Sequence, residues 1–191
     1  MDDAFQVLLD ALNRSGIRHM VGGSLASSAH GIPRSTNGVD IVAEIRDEHI
    51  SQFASDLAPA FYTDSETMHE AIRHQRSFNV IHFATGSKFD MFPVAGNRFM
   101  ETQIARSRIE NVPIAEGLSI RCPVATAEDT ILAKLVWYRA GSEPSDQQWN
   151  DVRGVRSVHG RQLDRAYMER WAQDLKVDDL LARLFSEGES Q

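Results

Sequence analysis

The sequence predicts an α/β (α+β) chain: a mixed sheet with helices over residues 1–124, followed by a helical bundle over 125–185. Three observations carry this. Residues 39–45 alternate, with Val39, Ile41, Ala43 and Ile45 on one face and Gly38, Asp40, Val42 and Glu44 on the other, the period of a strand that buries one face. Residues 78–83 and 88–94 are two further extended segments joined by Thr85-Gly86-Ser87, a plausible hairpin turn. From Thr126 onward the apolar residues recur only at helical spacing. Mixed elements first and helices afterwards place the chain in the layered α/β classes.

The remaining elements follow in order. Residues 4–15 carry Phe5, Leu8, Leu9 and Leu12 on one helical face, and Gly16 stops that helix. His19-Met20-Val21 is a short strand running into Gly22-Gly23-Ser24. Residues 25–29 read as a helix that Gly31-Ile32-Pro33 breaks. Residues 47–57 and 98–106 are helical, and 112–123 are extended around Glu116-Gly117. Thr126 with Asp129 three residues on is a capping signature, after which Ile131, Leu135 and Tyr138 share a face. Ser145 with Gln148 repeats the signal for a helix to about His159. Tyr167, Trp171 and Leu175 mark a third helix, and Leu180, Leu181 and Leu184 a fourth. Residues 186–191 are short, polar and terminal, as a disordered tail would be. No Gly/Ser-rich or Pro-rich linker separates the two parts, which leaves them free to pack as one unit.

A chain of 191 residues can bury roughly 70% of its unfolded surface, so its core needs no staples. The formal net charge of −7 argues against a broad basic surface for nucleic acid, while leaving room for a local basic cleft. The single cysteine, Cys122, excludes an internal disulfide and fits a reducing compartment. Met1-Asp2-Asp3 is acidic where an export signal is basic, and no apolar run nears the ~20 residues of a membrane span. The expectation is a cytoplasmic protein with no membrane partner.

Five segments can carry chemistry. Gly22-Gly23-Ser24 lies between a strand and a helix, where glycines let a phosphate approach the backbone and the helix N-terminus favours an anion. Ser24 can cap that helix or donate its hydroxyl to the phosphate; the plain alternative is a tight turn. Asp40 interrupts an apolar strand, and a carboxylate there must be paired, hydrogen-bonded or metal-bound. An ion pair with an arginine such as Arg34 is the structural alternative. Asp90, within Lys88-Phe89-Asp90-Met91-Phe92, interrupts another strand; if the strands are neighbours, the two acids can share a divalent cation. Lys134 sits beside the apolar stripe of its helix and either snorkels or points into a cleft. Asp151, on the next helix, either pairs with Lys134 or faces solvent. The histidines show no zinc-enzyme spacing, and no G-x-S-x-G surrounds a serine.

Together these blocks resemble the nucleotidyltransferase superfamily, and more narrowly its abortive-infection (AbiEii-type) toxin-like branch. The resemblance runs through Gly22-Gly23-Ser24, Arg34-Ser35-Thr36, Val39-Asp40-Ile41-Val42, residues 88–92, residues 127–135 with Trp137-Tyr138-Arg139, and Asp151-Val152, most of residues 20–155. It implies that Gly22, Gly23, Ser24, Arg34 and Lys134 hold a nucleoside triphosphate (NTP). It implies that a D-x-D pair and a third acid bind magnesium or manganese, and that Asp151 supports the site. The implied activity is metal-dependent transfer of a nucleotide to an RNA, protein or small-molecule acceptor, with an antitoxin-like protein as a possible partner. The sequence departs from that plan at the first acid, which falls on Gly38; Glu44 cannot replace it, being ~13 Å further along a strand. Asp40 and Asp90 are the catalytic and metal-binding acids that remain. The alternative is a catalytically impaired relative that binds a nucleotide or a partner.

Overall fold

A computed structural model describes residues 2–34, 36, 38–115, 117–141 and 146–187, without the side chains of residues 2 and 115. Ser145, Asn37, Glu116 and residues 188–191, on which some of the expectations above fall, lie outside the described residues.

The strand expected from its alternation is β2 (Gly38–Ala43), in the middle of a seven-stranded sheet of order β3-β4-β5-β2-β1-β7-β6 among the described residues. Its neighbours are β5 (Lys88–Pro93), which runs parallel to it, and β1 (His19–Val21), which runs antiparallel. The hairpin partner β4 (Phe78–His82) pairs antiparallel with β5, and β3 (Phe61–Tyr62) forms one edge. Gly86 takes φ +65° in the hairpin turn. Beyond β1 lie β7 (Leu118–Val124) and the other edge, β6 (Arg108–Ala115).

One face of the sheet is a continuous apolar layer. Val39, Ile41 and Ala43 of β2 and Phe89 and Met91 of β5 are at most 1% exposed. Helices α1 (Asp2–Arg14), α3 (Asp47–Leu57) and α4 (Ser65–Arg73) add Phe5, Leu8, Leu12, Phe53 and Met68 to the same core. The Phe5 and Phe61 rings meet Phe89 at 5.8 and 6.0 Å. The opposite face carries Asp40, Val42, Asp90 and Phe92, and α2 (Gly23–His30), α5 (Arg98–Arg106), α6 (Ala127–Ala140) and α7 (Asp146–His159) pack around it. With α8 (Arg165–Asp174) and α9 (Asp178–Ser186), α6 and α7 enclose a second core of Leu132, Leu135, Trp149, Val152, Met168 and Leu184, which Phe99 of α5 joins. Among the described residues no helix is long and apolar enough to cross a membrane.

Apart from bounds that shift by one or two residues, the structure differs from the sequence reading chiefly as follows. Helix α4 and strand β3 lie in a stretch with no assigned element. Met68, Ala71 and Ile72 give α4 an apolar face, and Asp64 caps the helix by accepting from the Glu66 amide at 3.0 Å, but the stretch is short and otherwise polar. Strand β6 begins at Arg108, four residues early, because edge-strand residues such as Arg108 and Ile109 show no inward alternation. Ile45 lies past the end of β2, yet is 2% exposed. Helix α9 runs through Ser186, one residue into the expected tail.

Candidate active site

The parallel register sets Asp40 directly beside Asp90, and Gly38 directly beside Lys88. Both acids face a cavity of about 300 Å3 whose lining includes Gly22, Gly23, Ser24 and Lys134. Of the site residues singled out in the sequence, Arg34 and Asp151 stand behind this lining rather than in it. The Arg34 guanidinium donates from Nε and Nη2 to the two Asp151 oxygens at 2.9 Å each, and from Nη2 to the Ser24 hydroxyl at 2.7 Å. Lys134 donates to Asp151 Oδ2 at 2.7 Å. Asp151 therefore ties the glycine-turn side of the cavity to its helical side. Burial pushes its carboxyl upward, but the donations from Arg34 and Lys134 outweigh this and hold it below the usual carboxylate range.

Two expectations are corrected. Ser24 does not cap α2: the N-cap is Gly22, with no side-chain bond, and the Ser24 hydroxyl is engaged by Arg34. Arg34 forks onto Asp151, so the arginine named as the structural partner of Asp40 serves the other acid. Asp40 has a different local role, accepting a hydrogen bond from the Ser24 backbone amide. That places a carboxylate at the N-terminus of α2, where the helix dipole favours it. Glu44 is held by Arg18 and does not line the cavity.

Gly23 makes this arrangement possible. Its φ is +53°, and a Cβ there would lie 1.7 Å from Asp40 Oδ2. At Gly38 a Cβ would meet Asp90 Oδ2 at 3.5 Å, an ordinary contact, so the strand has room for a side chain at that position.

Burial is the largest cause that raises the Asp40 pKa, and the adjacent Asp90 charge adds to it; Lys134, the Ser24 amide and Lys88 offset part of the rise. The folded chain thus binds more protons than the unfolded one between the unfolded and the raised pKa. Stability falls as pH rises through that window, and ionised Asp40 is destabilising at neutral pH. Asp40→Asn keeps an oxygen for the Ser24 amide. It is expected to raise the melting temperature at pH 7 by a few degrees, about 2–4 °C. A scan showing no rise would contradict this account of the carboxylate.

The sequence reading missed several residues of the lining. Thr130 and Gln148 present Oγ1 and Oε1, buried atoms without a hydrogen-bond partner among the described residues, and both residues line the cavity. Unpaired buried polar atoms are costly unless something in the cavity satisfies them. Phe92 and Trp137 pack edge to face at 6.1 Å, with Trp137 56% exposed. Thr130, Lys134 and Trp137 are spaced four and three residues apart, one helical face, and that spacing was the available signal.

The donor set suits a divalent cation up to a point. Asp40 and Asp90 offer hard oxygen ligands side by side, as magnesium or manganese prefers. With Gly38 contributing none, no group of three His, Cys, Asp or Glu among the described residues can hold a metal. The residues fit one ion completed by phosphate and water oxygens, and not two.

No protein-family model matches the chain, and no curated protein matches it. Two solved structures are similar over nearly its whole length. One is an antigenic nucleotidyltransferase-like protein from Paracoccidioides brasiliensis, at TM-score 0.61 and 15% identity, covering 98% of this chain and 88% of that one. The other is the antibiotic-resistance factor ANT(2'')-Ia, at TM-score 0.51 and 15% identity, covering 90% and 92%. At such identity the likeness speaks of architecture, and it agrees with the mixed sheet and trailing helices described above: the chain has a nucleotidyltransferase-type fold.

Proposed function

We propose that the cavity is a nucleotidyl-transfer site, taking a nucleotide from an NTP to an acceptor hydroxyl with the help of magnesium or manganese. The observation that carries this reading is the side-by-side placement of Asp40 and Asp90 in one cavity, with the glycine turn packed against Asp40 and Lys134 in the same lining. Gly22 and Gly23 leave the turn without side chains, so phosphate oxygens can approach its backbone. Lys134 neutralises and orients the triphosphate with the Ser24 hydroxyl, which Arg34 holds in place from behind the lining. Asp151 holds the two cations in place. Asp40 and Asp90 would hold the divalent ion, which when bound would supply Lewis-acid activation of the acceptor oxygen and stabilise charge on the transferring phosphorus. The acceptor oxygen bonds to the α-phosphorus, pyrophosphate leaves, and the hydroxyl proton passes to solvent.

The net charge of −7 counts against an RNA acceptor and favours a protein or small-molecule hydroxyl. Small-molecule acceptors also accord with the fold's likeness to an antibiotic-resistance factor. The narrower AbiEii-type reading, with an antitoxin-like partner, rests on the sequence blocks alone; growth arrest on expression, absent with Asp90→Asn, would test it.

The site reading is tested by thermal shift with each NTP, with and without magnesium, followed by transfer of labelled nucleotide to RNA, protein and hydroxylated small molecules. Magnesium-dependent stabilisation and labelling of one acceptor class, both lost in Asp90→Asn, are expected. Stabilisation that ignores magnesium, with no labelling, would instead identify a binding relative without catalysis.

A further inference from the structure

Asp90 has a different neighbour at each of its two oxygens. Lys88 Nζ lies 2.9 Å from Oδ1. Oδ2 faces the place where a side chain on Gly38 would begin, 3.5 Å away. Lys88 and Gly38 are themselves register partners on the two parallel strands, so the lysine stands on the strand beside the position at which the acid is missing and its ammonium reaches the carboxylate that faces that position. It also acts on Asp40, favouring its charged form.

Two-ion phosphoryl transfer places its cations about 3.5–4 Å apart to balance both the carboxylates and the developing charge. Three carboxylates with two divalent ions sum to one positive charge. Two carboxylates, one divalent ion and one ammonium also sum to one positive charge. Loss of the acid at 38 and the presence of a lysine beside it therefore compensate each other.

We propose that Lys88 supplies the second positive charge of this site, so that the nucleotide is held with one divalent cation instead of two. This rests on the nucleotidyl-transfer reading above. A structural role explains Lys88 poorly. Its side chain is 49% exposed and that of Asp90 25%, and so exposed an ion pair contributes little to folding. For the same reason the residue can be replaced without endangering the fold.

The test counts manganese bound to the full chain by electron paramagnetic resonance, in the presence of a non-hydrolysable α,β-methylene NTP analogue whose affinity is measured in parallel. The wild type is expected to take up one ion per chain. Lys88→Met should weaken analogue binding about 10-fold or more, and Lys88→Arg should restore it to within about 3-fold, as for loss and return of one charged contact. Gly38→Asp combined with Lys88→Met should take up two ions. Two ions in the wild type, Lys88→Met binding within about 3-fold of it, or a double variant that stays at one ion would overturn the proposal. Lys88→Gln, measured alike, removes the charge with a polar stem and guards against a misfolded methionine variant. Should the wild type bind no analogue with or without manganese, the nucleotidyl-transfer reading falls and takes this proposal with it, a result distinct from a wrong ion count.

Discussion

Asp151→Ala is expected to destabilise the chain by roughly 3 kcal/mol, the loss seen when one partner of a largely buried ion pair is removed. The side chains of Asp151 and Lys134 are 8% and 9% exposed, so the variant leaves an ammonium buried without its carboxylate. Arg34, 27% exposed, loses a bidentate acceptor but reaches water more easily, which keeps the effect at the lower end. At 2–4 °C per kcal/mol for a domain of this size, the melting temperature should fall by about 6–12 °C. Lys134→Met with Asp151→Leu removes both charges, so the double variant should melt well above the single one. Thermal melts of the three proteins decide it. A single variant within about 2 °C of the wild type would mean that water already compensates Lys134.

Gly23→Ala should have an effect of similar size and disable the site as well. Its φ of +53° is strained for alanine, and the new methyl carbon would lie 1.7 Å from Asp40 Oδ2 and 2.6 Å from Cγ. Backbone strain and overpacking together amount to roughly 2–4 kcal/mol. Swinging the Asp40 side chain away relieves the clash but breaks its bond to the Ser24 amide and spoils the pairing with Asp90. Nucleotide-dependent thermal stabilisation should therefore disappear even in the fraction that folds. Gly22→Ala is the matched control, because Gly22 has φ −119° and a methyl group there would meet nothing within 4 Å. It should stay within about 1 kcal/mol of the wild type. Equal losses from the two substitutions would refute the account of the turn.

Elements that announce themselves locally were legible in the sequence. The alternation of β2 and the bounds of α3 and α5 match, and Thr126 accepts from the Asp129 amide as its spacing requires. Helix α4 was legible only in part: Met68, Ala71 and Ile72 share a face after the Asp64 cap, but three apolar positions in a short polar stretch are a weak signal until the core they pack on is known. The acids stood out because a charge inside an apolar strand needs a reason. Their pairing was expected on condition that the two strands are neighbours, and the β2–β5 register, which joins residues fifty apart in the chain, meets that condition. The Arg34–Asp151 fork spans 117 residues, and nothing near Arg34 points to it over Asp40. Lys88 carried no role of its own in the sequence, and only the register sets it against Gly38.

The cavity has a floor and a roof of different origin. Asp40, Val42, Asp90 and Phe92 stand on strands whose other face is the first core, whereas Thr130, Lys134, Trp137 and Gln148 stand on helices rooted in the second. Exchanges at Thr130, Trp137 or Gln148 reshape what the cavity admits while the strands under the acids keep their register. On the proposed reading, the shape of what is admitted can be altered from the helical core without disturbing the strands that carry the two acids.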